Sequence, residues 1–133
     1  MSRLAPALRI RRRQIDALRL AIGAEQDRAS GLAAEVARVR AARDAERRLA
    51  AGSEVPADAW FAASSRHLHD LAGVRAQIEQ RLATLRQAAR EASARLSLLE
   101  QADAAAQAVE RRASDKAAQA ALDDRTAASW SRR

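Results

Sequence analysis

Apolar residues recur along this chain in steps of four and three, in two long runs. The first passes through Leu4, Leu8, Arg11, Ile15, Leu18, Ile22, Glu25, Ala29, Leu32, Val36 and Val39. The second passes through Phe61, Ser64, Leu68, Leu71, Arg75, Ile78, Leu82, Leu85, Ala89, Ala92, Leu96, Leu99, Asp103 and Ala106. A mean step of 3.5 residues keeps one stripe of a helix turned toward a partner helix, the a/d pattern of a coiled coil. Strands would need alternation with a period of two, and none is sustained here.

Between the runs lies the one concentrated helix breaker, Gly52-Ser53-Glu54-Val55-Pro56. Helix 1 is expected over about 3–51, with Gly52 as its C′ residue and Arg47 and Arg48 suiting the dipole of its last turns. Helix 2 is expected over about 57–125, with Pro56 near its first position and Asp58 in its first turn, followed by a frayed tail over 126–133. A break this short folds two helices back on each other. The fold expected is all-α: one domain over 1–133, a long antiparallel two-helix coiled-coil hairpin with a C-terminal helical overhang. Folding about residue 54 leaves everything after about 106 without a partner in helix 1.

The polar residues of the seam test this register. Folded so, Glu25 faces the neighbourhood of Arg81 and Arg86, Arg75 faces Glu35, and Asp103 faces Arg3 and Arg9. Arg11 faces Glu100 and Glu46 faces Arg66. Opposite charges across a seam fix register. Gly23, Gly31 and Gly73 fall outside a/d positions and soften the helices locally.

Composition narrows the class further. Among 133 residues there are one Phe, two Trp and no Tyr, so the core is a thin seam of Leu, Ile, Val and Ala. There is no cysteine, which removes disulfides, thiolate metal sites and thiol catalysis. No run of about 18 apolar residues is present to span a bilayer, and the N-terminus lacks a secretory apolar block. The net charge of +7 is unevenly placed: residues 1–52 hold twelve Arg against six acids, whereas 53–133 are nearly balanced. Only Lys116 among the basic residues is not Arg, so the preference for Arg reads as easily as codon bias as it does as phosphate recognition.

Little in the sequence points to chemistry. Four scattered glycines build no phosphate loop. His67 and His69 sit two apart, on different sides of a helix, and cannot share a metal as an i, i+4 pair does. Ser64 and Ser65 near His67 have no elbow or oxyanion hole beside them. The expectation is a non-enzymatic protein with no cofactor and no small-molecule substrate. Two features invite partners instead. Arg9, Arg11, Arg12 and Arg13 form a basic cluster that reads as a solvated helix face or as a docking surface for an acidic protein. Nucleic acid is disfavoured, because no aromatics interleave for stacking. Trp60 and Phe61 read as a hydrophobic plug at the turn or as an exposed anchor, and Trp130 lies in a polar tail with no evident partner within the chain.

The layout resembles a known family. A short Arg- and Ala-rich hairpin has a longer second helix that opens Trp60-Phe61 and continues through His67-Leu68 and Leu71. It ends in a charged tail, Asp123-Asp124-Arg125 through Trp130. This is similar to the central-stalk proteins of type III secretion systems, the flagellar FliJ and the injectisome YscO/SctO proteins, including the Hrp versions of plant-associated bacteria. The opening Leu8-Arg9-Ile10-Arg11 departs from the Leu-Arg-Glu opening of flagellar members and leans to the injectisome branch. The resemblance implies a cytoplasmic protein, peripheral at the inner-membrane secretion apparatus. Its partners would be a hexameric secretion ATPase and an export-gate protein, with secretion chaperones a further class. The terminal end would dock the ATPase through Arg9, Arg11, Arg12, Arg13, Arg125 and Trp130. The turn end would meet the gate or a chaperone through Trp60, Phe61, Arg66 and His67. The alternatives are a generic coiled-coil scaffold or adaptor and, behind it, a basic nucleic-acid-associated coiled coil.

Overall fold

A computed structural model describes residues 2–52 and 56–132. It contains two helices packed against each other as a hairpin, α1 (Ala5–Ala50) and α2 (Asp58–Ser131), the second much the longer. The chain divides into two packing units, each containing part of both helices.

The larger unit, residues 15–91, holds the hairpin bend and most of the core. Ile15, Val39, Ile78 and Leu82 are buried, and Leu18, Ile22, Leu32, Val36, Leu68, Leu71 and Leu85 are half-buried beside them. The smaller unit, residues 1–14 and 92–133, packs the first turns of α1 on α2. Leu8 and Ala92 are buried there, with Leu4, Leu96 and Leu99 half-buried. No large side chain is fully enclosed among the described residues. This is the physics of two helices: each seam residue meets one facing helix and keeps a flank in water. α2 then runs on alone, and every residue from Val109 to Arg132 is exposed.

The predicted seams are the buried stripes. All eleven positions of the first are buried or half-buried, as are twelve of fourteen in the second; Arg75 and Ala106 are the exposed ones. Arg75 keeps its charge in water by pairing along its own helix with Glu79, Nε to Oε1 at 3.0 Å. The first seam continues beyond Val39 through Arg43, Glu46 and Ala50, all half-buried.

Several boundaries and pairings differ from expectation. Helix α2 does not fray at 126 but continues to Ser131, because Ala127 and Ala128 favour helix and no Gly or Pro interrupts it. Gly52 adopts no positive φ. Helix α1 closes instead with a tightened turn, the Gly52 N–H donating to the Leu49 carbonyl at 3.1 Å. The expected turn at 52–56 lies in part, at 53–55, outside the described residues.

Ion pairing departs most. Arg12, not Arg11, approaches Glu100, at 3.8 Å, while Arg11 Nη1 donates to Gln14 Oε1 at 3.1 Å. Asp103 accepts the Ser2 hydroxyl rather than pairing with Arg3 or Arg9. The same Ser2 oxygen accepts the Leu4 N–H at 3.1 Å, so one side chain caps α1 and ties it to α2. Glu35 pairs with Arg38 and His67, not with Arg75. Neither Glu46 with Arg66 nor Glu25 with Arg81 or Arg86 forms a pair among the described residues. For Arg11, Glu25, Glu35 and Arg75 the reason is the same: an i, i+3 or i, i+4 partner stands within reach on their own helix. Arg19–Asp16, Arg28–Glu25, Arg38–Glu35 and Arg47–Asp44 are all such local pairs.

Candidate functional site

The basic cluster lies on α1 in the smaller unit. Arg9, Arg12 and Arg13 are exposed and share one outer side of the helix, since three- and four-residue steps stack side chains. Arg11 is set apart from them, half-buried at a seam position. The Arg12–Glu100 contact joins side chains 57% and 49% exposed, so it holds neither guanidinium nor carboxylate tightly. Arg125 and Trp130, in the same unit, do not join this patch. Glu100 already faces Arg12, and Arg125 stands a further 25 residues along α2, about 37 Å of helix. Trp130 is 73% exposed. The expected terminal surface is therefore two surfaces, a basic face and a free helical segment.

The aromatic pair lies in the larger unit, where α2 begins. The Trp60 and Phe61 rings meet edge to face, their centroids 5.1 Å apart. Phe61 is half-buried, and the guanidinium groups of Arg43 and Arg47 lie 5.3 and 6.0 Å from its ring centroid. Arg43 Nη1 also donates to the Phe61 carbonyl at 2.9 Å and to the Ser64 hydroxyl. Arg43 is thus a clamp on the start of α2. Extending the four-three steps one position past Val39 reaches it, which is the signal the sequence held. Trp60 remains 40% exposed and Leu49 68%.

His67 Nε2 lies 3.3 Å from Glu35 Oε1, across the seam. Arg38 donates to both Glu35 oxygens, at 2.9 and 2.6 Å. These bonds favour the charged carboxylate, Arg38 first and His67 second, and lower the Glu35 pKa from 4.5 to about 2. Glu35 in turn raises the Arg38 pKa. Arg66 is exposed and stands on a different side of α2 from Trp60 and His67. Ser64, whose hydroxyl donates to the Phe61 carbonyl at 3.1 Å, is engaged in local structure.

Two grooves flank the seam of the larger unit. One, about 480 Å³, is apolar and lined by Ala29, Leu32, Val36, Ile78 and Leu82, with Arg40, Arg75 and Glu79 at its rim. The other, about 640 Å³, is lined by Glu25, Gln77, Gln80, Arg81, Thr84 and Leu85. Glu25 is the buried charged residue of the seam: Oε1 accepts from Arg28 at 3.0 Å, and Oε2 is buried with no hydrogen-bond partner among the described residues. Also among the described residues, no group of three or more His, Cys, Asp or Glu side chains is placed to hold a metal ion, and no helix is long and apolar enough to cross a membrane.

The fold is an all-α two-helix hairpin. Comparison with protein families, curated proteins and solved structures finds no match to this chain.

Proposed function

We propose that this chain is a non-enzymatic helical stalk of a protein-secretion ATPase, coupling a hexameric ATPase ring to an export gate as the type III central-stalk proteins do. The observation that carries the reading is the free end of α2: residues 109–132 extend beyond α1 as exposed helix and end in Trp130. The exposed Arg9, Arg12 and Arg13 belong to the same unit. A single asymmetric helix pair inside a ring of six equivalent subunits contacts them unequally. It can bias which subunit changes state next, provided it binds those states with different affinities. A basic face suits an acidic ring interior. Trp60 and Phe61, with His67 on the Trp60 side of α2 and Arg66 on another side, supply the contact for the gate or for a chaperone.

The test is ATP hydrolysis and co-sedimentation of the cognate hexameric ATPase against increasing amounts of this protein. Stimulation is expected; it should weaken on reversal of Arg12 and Arg13 to Glu and on removal of 126–133, and persist in Trp60→Ala. Absence of both stimulation and co-sedimentation with the unaltered protein would overturn the stalk reading and favour a coiled-coil scaffold or adaptor.

A further inference from the structure

We propose that the free segment of α2, residues 109–132, pairs antiparallel with the same segment of a second copy of this chain. Every residue of that segment is exposed, including Val109 at 63% and Trp130 at 73%. The heptad that packs Leu85, Ala92, Leu96 and Leu99 against α1 runs on in phase. It places Glu110, Ala113, Ala117, Ala120, Asp124 and Ala127 on the continuing stripe. Four of these six are Ala, which lets a second helix approach closely.

Charge chooses the orientation. Parallel, in-register pairing would set Glu110 against its own copy and Asp124 against its own copy within the seam. It would also leave Lys116 and Asp123 flanked by alanines. Antiparallel pairing with Ala117 opposite Ala120 of the second copy removes both like-charge layers. At the flanking edge it sets Lys116 against Asp123 of the second copy, and Val109 against Trp130 of the second copy. Two-fold symmetry makes each of these contacts twice. Asp124 then lies beside the same Lys116, and Leu122 stays on the outer side.

Chain length fits as well. In this register Arg132 of the second copy stands opposite Ala105, about half a helical turn short of Asp103. Asp103 is where Ser2, at the start of α1, meets α2. A second copy therefore covers the length of stripe that α1 leaves open and stops before colliding with it. Self-pairing and ring docking use the same segment, so they are alternative states of the protein; the test uses this protein alone, so either reading can fail without the other.

The experiment is sedimentation equilibrium of the full chain across the micromolar range. The unaltered protein should rise from 14.4 kDa toward twice that mass. Lys116→Asp alone, or Asp123→Lys alone, places like charges at both flanking contacts and should weaken association about tenfold or more. An equimolar mixture of the two variants restores both opposite-charge contacts and should recover the dimer. Trp130→Ala should weaken association, and raised salt should too. Circular dichroism checks that each variant stays helical. A mass of 14.4 kDa at every concentration would overturn the proposal and leave the segment to a different protein. Single variants that dimerise as well as the unaltered chain would overturn the antiparallel register.

Discussion

The seam makes its sharpest prediction at Ile78, 3% exposed and the most buried core residue described. Ile78→Ala removes three carbons from between the helices. At about 0.8 kcal/mol per buried methylene-sized group the transfer loss is about 2.4 kcal/mol. A void normally adds to this, and large-to-small substitutions of this kind span about 2–5 kcal/mol. Here Ile78 borders the apolar groove beside Leu32 and Val36, so water and neighbouring side chains can move into the space. The expected cost is therefore about 2–3 kcal/mol, at the lower end of that range. Leu20→Ala is the control: it removes the same number of carbons from a side chain 76% exposed and should cost less than about 0.5 kcal/mol beyond any change in helix propensity. Urea denaturation followed by helical circular dichroism gives both values, and an unchanged denaturant slope licenses comparing midpoints. Equal losses at Ile78 and Leu20 would refute the placement of the core on this seam.

Arg43→Ala should cost about 1–2 kcal/mol by urea denaturation, since it removes a charged hydrogen bond to the Phe61 carbonyl and the cation over the ring; Arg43→Lys should recover only part of it. Glu35 sets a pH dependence. Its folded pKa is lowered to about 2, so the unfolded chain binds more protons between pH 4.5 and 2, and the stabilisation present above pH 4.5 is lost as pH falls through that window. An NMR titration should find the Glu35 carboxyl midpoint near 2 and moving up toward 4.5 in Arg38→Ala; an unmoved midpoint would contradict the stated cause. Gly23→Ala and Gly31→Ala should each stabilise by about 0.5–1 kcal/mol, because a Cβ built at either meets nothing within 4 Å; the readout is thermal unfolding.

Much of the candidate site was legible residue by residue, but its grouping was not. Trp60 and Phe61 are neighbours in sequence and in space, and Trp130 is exposed where the free segment ends. Helical phase alone separates Arg11 from Arg9, Arg12 and Arg13 once Arg11 is placed on the seam. The gap from the basic face to Arg125 also follows from register and helical rise. Grouping these residues by their nearness to the termini overlooked that a helix spreads 25 residues over about 37 Å.

What the sequence by itself determined is the architecture. A 3.5-residue apolar repeat can bury its stripe only against another helix, and one Gly/Pro break between two such repeats folds them together. The unequal run lengths leave α2 longer. Backbone hydrogen bonding and burial of the stripe are both local or periodic, so one dimension of pattern carries them. What only the tertiary structure decided is which polar groups meet. A long arginine side chain reaches several carboxylates, and the choice falls between partners of similar energy. Arg38 and Arg75 settle on their own helices, whereas His67 and Arg12 cross. Arg43 clamps Phe61 and Ser64 because the folded-back chain brings residues 18 and 21 positions apart into hydrogen-bond distance. Glu25 stands buried at its seam position, where Arg28 reaches Oε1 and Oε2 has no partner among the described residues. Periodicity sets where the stripe lies; three-dimensional packing selects among the near-equal pairings along its edges.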